Sequence, residues 1–196
     1  MVLGFGGLVM AAMRFESRTA ALVVLTLSLV LVGLALPVVS AVHRRRFNMM
    51  VSNVRRRRPR ARLVPGVIGK NMAGLARSYG ASGDDWVKPN RGLMVLAVRR
   101  NNVEVWGVGD ARPRWRVRRV PGAVSVVSTE FRVQSVNQTF EREELWVDDG
   151  ERSVRIVPLY AMKWKPDVRA DLERALRDLG IAPEVVRRKN RIESVA

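Results

Sequence analysis

A dense run of arginines gives this 196-residue chain its clearest capacity for chemistry. Between residues 44 and 62 the sequence has nine arginines and no acidic residue: Arg44, Arg45, Arg46, Arg55, Arg56, Arg57, Arg58, Arg60 and Arg62. Guanidinium groups bind phosphates through paired hydrogen bonds, so the run could contact anionic lipid or nucleic acid. Phe47 is the only aromatic residue among them, whereas proteins that bind single strands stack bases on aromatic side chains. We therefore predict that this segment contacts anionic membrane lipid, with nucleic acid as the alternative partner.

The sequence offers little for catalysis. It contains no cysteine, which excludes disulfides, zinc–cysteine sites, iron–sulfur clusters and cysteine nucleophiles. Its one histidine is His43. One group of carboxylates could bind a divalent cation: Glu141, Glu143, Glu144, Asp148, Asp149 and Glu151. Because these residues surround an Asp-Gly turn, we interpret them as the solvated tip of a hairpin. We predict a protein that is not an enzyme, and we assign no catalytic, cofactor-binding or metal-binding residue.

Residues 19–42 form a run without any charged residue. As a helix the run would be about 36 Å long, enough to cross a hydrocarbon core of about 30 Å. We therefore predict a single transmembrane helix in the inner (plasma) membrane. Nine arginines follow the run, whereas the upstream flank carries only Arg14, Glu16 and Arg18. The positive-inside rule then places the N-terminus outside and the C-terminal part in the cytoplasm.

A cleaved signal peptide is the competing interpretation of this run. Ser40 and Ala41 are small residues of the kind that signal peptidase accepts. Two features favour a retained anchor: the run is longer than the apolar region of a usual signal peptide, and the arginines that follow it resist translocation. The start of translation stays open between Met1, Met10 and Met13.

Changes in composition divide the chain into five regions. Between residues 43 and 90, prolines and glycines recur at short intervals, which predicts a mostly irregular segment. The predicted division is a short extracytoplasmic N-terminus (1–18), a transmembrane helix (19–42), a basic juxtamembrane linker (43–90), a folded domain (91–182) and a short C-terminal helix or tail (183–196).

From residue 91 the pattern of apolar residues is that of short strands. Residues 92–98 are apolar almost throughout, as in a strand buried on both faces, and residues 115–118 alternate apolar side chains with arginines. Asp149-Gly150 separates two further strand-like runs and predicts a hairpin. We expect six or seven antiparallel strands.

A single amphipathic helix follows the strands. Asp167 favours a helix N-terminus, and Gly180 marks its end. Apolar residues recur between them at helical spacing, at Val168, Leu172, Ala175, Leu176 and Leu179. The apolar stripe must be buried, and the open end of a bent sheet is the natural place.

These segments resemble the pleckstrin-homology-like (PH-like) domains found in small membrane proteins of actinobacteria. The resemblance rests on VLAVRRNNVEVWGV, VRRVPGAVSVV, LWVDDGERSVRIVPL and VRADLERALRDLG, and covers about residues 91–182. It implies a curved antiparallel β-sandwich or partly open barrel capped by a C-terminal helix, with a role in binding or assembly at membranes. The excess of arginine over lysine is typical of GC-rich bacterial coding sequence, which agrees with such an origin.

Together these features predict a single-pass, membrane-anchored binding or scaffold protein. Its cytoplasmic PH-like domain would meet a protein partner that the sequence does not identify, while the arginine-rich linker docks on anionic lipid. The alternative is a membrane-tethered nucleic-acid-binding or regulatory protein.

Overall fold

The computed structural model describes residues 18–83, 86, 92–133, 138–162, 167–182 and 188–189. The chain divides into two compact units, Met1–Arg45 and Arg46–Ala196. Helix α1, Arg18–Arg57, is forty residues long and contains Pro37. No helix in the described part of the chain combines the length and the apolar character needed to cross a membrane.

The second unit is built on one sheet with the strand order β4-β3-β2-β1-β7-β6-β5-β8. The strands are β1 Arg62–Ile68, β2 Leu93–Val98, β3 Asn102–Gly107, β4 Trp115–Arg118, β5 Val124–Val133, β6 Gln138–Asp148, β7 Ser153–Pro158 and β8 Arg188–Lys189. The first seven are antiparallel and curl into a half-barrel, whereas β8 pairs in parallel with β5. The prediction of a mainly-β domain is therefore confirmed.

The sheet consists of two meanders joined by a short seam. Strands β1–β4 form one meander and strands β5–β7 form the other. The seam is the antiparallel pair of β1 with β7, in register at Gly66↔Pro158, Val67↔Val157 and Ile68↔Ile156. The first strand of the domain is thus central, and it meets a strand that lies about ninety residues later in the sequence.

Several strand predictions are confirmed in detail. All six residues of β2 are buried, as expected of a strand covered on both faces. Strand β4 alternates buried Trp115 and Val117 with exposed Arg116 and Arg118. The predicted hairpin is β6–β7, and Gly150 adopts φ 88° in its turn, a conformation that favours glycine.

Two apolar layers explain why the central strands are buried on both sides. On one face, side chains from β1–β7 pack with the helices that follow β1 and β7, around residues such as Leu96, Leu145 and Leu176. On the other face, Phe47, Met50 and Val54 of α1 pack against alternate strand residues, including Val95 and Trp106. The last turns of α1 are therefore part of the core of the domain.

The prediction of an irregular linker over 43–90 is wrong. Helix α1 continues to Arg57, β1 occupies the centre of the sheet, and helix α2, Met72–Ser78, packs on it with Met72 and Ala76 buried. The domain accordingly begins at Arg46 rather than at residue 91. Outside the described residues lie 1–17 and, apart from β8, 183–196, so the predictions for the two ends stay predictions.

Pro65 and Gly66 are the reason that β1 does not look like a strand in the sequence. The carbonyl oxygen of Pro65 accepts a hydrogen bond from the Leu159 N–H at 2.9 Å. The N–H and C=O of a strand residue point to the same side, so the missing N–H of Pro65 faces β7, and the pairing of β1 with β2 loses no hydrogen bond at Pro65. Gly66 is required by packing, because a Cβ at this position would overlap the Val157 carbonyl oxygen and lie 2.8 Å from Ile156 Cγ1.

The C-terminal helix α3, Val168–Asp178, agrees with the predicted helix. Asp167 is its N-cap, with a side-chain oxygen that accepts from the Ala170 N–H at 3.0 Å. Leu172, Ala175 and Leu176 are buried against the sheet, and Gly180 follows with φ 75°.

Candidate anion-binding site

The structure separates the nine predicted lipid-contacting arginines into two groups. Arg44, Arg45 and Arg46 are exposed on α1, directly after the uncharged run. The other six occupy the last turn of α1, the turn after it and the start of β1, at Arg55, Arg56, Arg57, Arg58, Arg60 and Arg62. Arg55, the nearest arginine of the second group, lies nine residues after Arg46, which corresponds to about 14 Å along the helix. The two groups are therefore distinct surfaces rather than one continuous segment.

Arg58 in the second group is held by a buried carboxylate. Its Nε lies 2.6 Å from Glu104 Oε2 and its Nη2 lies 3.3 Å from Glu104 Oε1, a bidentate arrangement. The guanidinium carbon also lies 5.4 Å from the centre of the Trp106 ring. Arg58 thus ties the end of α1 to strand β3.

Glu104 collects two further arginines. Its Oε1 lies 3.2 Å from Arg116 Nε and 3.6 Å from Arg99 Nη1. Burial of this fully enclosed carboxyl opposes its ionisation. The hydrogen bond and charge of Arg58 outweigh the effect of burial, together with the charges of Arg116 and Arg99. The pKa of Glu104 therefore lies below its ordinary value. Glu104 is therefore an anion that positions three arginines.

A basic cavity lies beside this cluster, between the end of α1 and the β2–β3 turn. Its volume is about 550 Å³, and five arginines line it: Arg57, Arg58, Arg60, Arg99 and Arg100. Among the described residues, Glu104 is the only carboxylate in contact with any of them, and it is shared with Arg116. The cavity therefore carries an uncompensated positive charge, which favours a bound anion.

Arg57 and Arg62 also make hydrogen bonds within the folded domain. Arg57 is oriented by the Asn53 side-chain oxygen at 3.3 Å and by the Ala111 carbonyl oxygen at 3.1 Å. Arg62 donates to the Arg177 carbonyl oxygen at 3.2 Å, which links β1 to the end of α3.

The acidic residues around the β6–β7 hairpin separate into two roles. Asp149 lies in the turn and accepts from the N–H groups of Arg118, Glu151 and Arg152; burial opposes its ionisation, but these hydrogen bonds lower its pKa below the ordinary value. Glu144 is buried farther along β6, where it accepts from Lys70 N–H and lies 2.6 Å from Arg142 Nη2. Among the described residues no cluster of carboxylates or histidines is arranged to hold a metal ion.

Glu104, Arg99 and Arg100 are the part of this site that the sequence analysis did not assign. Glu104 stands alone among apolar residues in β3, and such an isolated acid in a strand buried on both faces signals a paired charge. Arg99 and Arg100 lie at the turn between β2 and β3, and their proximity to Arg58 depends on the pairing of β1 with β2.

Comparison with known proteins identifies no relative: no protein-family model, curated protein or solved structure matches the chain. The site is therefore interpreted from its geometry and charge.

Proposed function

We propose that this chain is a membrane-anchored binding protein without enzymatic activity, with a PH-like domain on the cytoplasmic side. Residues 19–42 insert into the inner membrane, the N-terminus lies outside, and Arg44–Arg46 meet anionic headgroups. The half-barrel presents its surface to a partner. The curled sheet of seven antiparallel strands and the C-terminal helix support the PH-like assignment.

The apolar surface of α1 carries the proposal. Leu22, Val23, Leu27 and Val38 are each at least 60% exposed, and no other described residue covers them. An apolar helical surface of this extent is unfavourable in water, and we infer that lipid covers it.

The hydroxyl groups in this part of α1 agree with an apolar environment. Thr26 Oγ1 donates to the Leu22 carbonyl oxygen at 2.8 Å, and Ser28 Oγ donates to the Val24 carbonyl oxygen at 2.7 Å. Both polar groups are satisfied within the helix, which is the condition for burying them in hydrocarbon.

The first arginine group supports both orientation and lipid contact. Arg44, Arg45 and Arg46 follow the apolar run at once, and the domain core begins at Phe47. Each arginine near an anionic surface contributes about 1 kcal/mol, and together they oppose translocation.

Orientation is tested with C-terminal fusions to the full chain. A green fluorescent fusion is expected to be bright and an alkaline phosphatase fusion inactive, with the protein resistant to carbonate extraction from membranes. Changing Arg44, Arg45 and Arg46 together to Glu should raise phosphatase activity several-fold, because the retaining charge is lost. The matched control changes Arg77, Arg112 and Arg169 to Glu and should leave activity low. An active wild-type phosphatase fusion, or extraction by carbonate, contradicts the proposal.

Lipid contact is tested separately from orientation. A fragment of residues 43–196 contains the whole second unit and should bind phosphatidylglycerol vesicles, with affinity falling at least fivefold between 0.05 and 0.3 M salt, roughly as expected for screened surface charges. Changing Arg44, Arg45 and Arg46 to Gln should weaken binding more than changing Arg77, Arg112 and Arg169 to Gln.

Duplex DNA distinguishes lipid from nucleic acid as the partner of these arginines. At equal phosphate concentration, DNA should displace little of the 43–196 fragment from the vesicles. Complete displacement would favour the nucleic-acid alternative instead.

A further inference from the structure

We propose that the basic cavity of Arg57, Arg58, Arg60, Arg99 and Arg100 is a binding site for a phosphate monoester. This inference does not depend on insertion of α1 into a membrane. The cavity begins at Arg57, about 17 Å along the helix from Arg46, and its arginines are not the ones, Arg44–Arg46, that we assign to the anionic lipid surface.

The charge of the cavity is the first argument. Five arginines line one concavity, and one carboxylate, Glu104, offsets their charge among the described residues. A terminal phosphate carries a charge of about −1.5 to −2 at pH 7 and offers three acceptor oxygens. A phosphodiester carries a single negative charge, so a monoester is the better match to the net positive charge of the cavity.

The positioning of the arginines is the second argument. Glu104, which is fully buried, fixes Arg58 through two hydrogen bonds and holds Arg99 by charge at 3.6 Å. Arg57 is fixed by Asn53 and the Ala111 carbonyl. Because these contacts limit side-chain freedom, less entropy is lost when an anion binds.

Arg60 and Arg100 complete the site from its rim. Both are exposed, and neither has a carboxylate partner among the described residues. Their guanidinium groups are therefore available to a ligand without breaking an existing ion pair.

The size and lining of the cavity indicate a small ligand. A volume of about 550 Å³ lies within the range of about 300–1,000 Å³ typical of small-molecule sites. Its lining contains arginine, proline and alanine and, in the described structure, no aromatic side chain on which a nucleic-acid base could stack. A phosphorylated small molecule or a monoester headgroup fits these features better than a nucleic-acid strand.

The test uses the full chain in a neutral detergent, so that it does not require α1 to insert into a bilayer. In the first arm, glycerol 3-phosphate is titrated by calorimetry against dimethyl phosphate, a phosphodiester. In a second arm, thermal stability is compared after addition of phosphatidic acid or phosphatidylglycerol to the detergent micelles. Saturable binding of glycerol 3-phosphate identifies a soluble monoester as sufficient, whereas stabilisation by phosphatidic acid alone identifies a lipid monoester; either result supports the site.

Charge variants locate the binding. Changing Arg60 and Arg100 to Gln removes two rim charges without touching the Glu104 cluster, so the fold should be kept, and affinity for the monoester should fall at least tenfold. The control changes Arg77 and Arg112 to Gln and should alter affinity less than twofold.

Three results would overturn the site. The first is no preference for the monoester over the diester in both arms. The second is equal loss of affinity in the rim and control variants. The third is duplex DNA binding that depends on Arg60 and Arg100 while glycerol 3-phosphate and phosphatidic acid have no effect.

Discussion

Replacing Gly66 with alanine is expected to lower the free energy of unfolding of the 46–196 unit by about 3 kcal/mol or more. A Cβ here would overlap the Val157 carbonyl oxygen and lie within 2.9 Å of two Ile156 side-chain carbons. The overlapped atom belongs to the backbone of β7, so it cannot move aside without separating β1 from β7. Urea unfolding followed by tryptophan fluorescence measures the change.

Gly74 provides the matched control. It is exposed within α2, and no atom outside the backbone of its own helix and its chain neighbours lies within 4 Å of a Cβ placed on it. Gly74→Ala should therefore be neutral or stabilising by up to about 1 kcal/mol, because alanine restricts the unfolded chain and favours the helix. Equal effects of the two substitutions would show that the β1–β7 seam is not closely packed.

Replacing Glu104 with glutamine is expected to cost about 3 kcal/mol at neutral pH, because three arginines lose their shared anion. The pKa of Glu104 is lowered in the folded state, so its contribution to stability is complete above the ordinary carboxyl pKa. It is lost as pH falls through the lower, folded pKa. The difference between wild type and Glu104→Gln should therefore be constant near neutrality and shrink only in acid.

Glu151 is the control for the charge change. It lies on the β6–β7 turn in a pair with Arg118 and is largely exposed, so Glu151→Gln should change stability by less than about 1 kcal/mol. A difference between wild type and Glu104→Gln that is small, or that persists unchanged into acid, would contradict an ionised, paired Glu104. Denaturant unfolding of the 46–196 unit at several pH values measures both variants.

The strands from β2 to β7 and the helix α3 could be predicted from the sequence because their signals are local. The continuous apolar run of β2, the alternation in β4, the Asp-Gly turn and the Asp167 cap each act within a few residues. The strand β1 could not be recognised in this way. Pro65-Gly66 has the sequence of a turn, and only the close approach of β7 makes glycine necessary at this place.

The candidate site could be predicted only in part, because its arginines form a local run but their partners lie far away in the sequence. The sequence reveals Arg57, Arg58 and Arg60 as part of a basic run, but a run alone does not show which charges are already paired. Arg58 binds Glu104, forty-six residues away, through the register of the β1–β2–β3 meander. Long-range pairing thus brings Arg58, which is paired with Glu104, into one cavity with arginines from the β2–β3 turn.

The seam between β1 and β7 also has a consequence for biosynthesis. Strand β1 cannot gain its second neighbour until residues 156–158 have left the ribosome, which at about 5–20 residues per second takes on the order of 5–20 s after β1 itself emerges. Until then the β1–β4 meander has an open edge at β1 and lacks the cover of α3. Such long-range closure slows folding and leaves strand edges open to aggregation. A nascent chain of this protein should therefore depend on chaperone protection between the synthesis of β4 and that of β7.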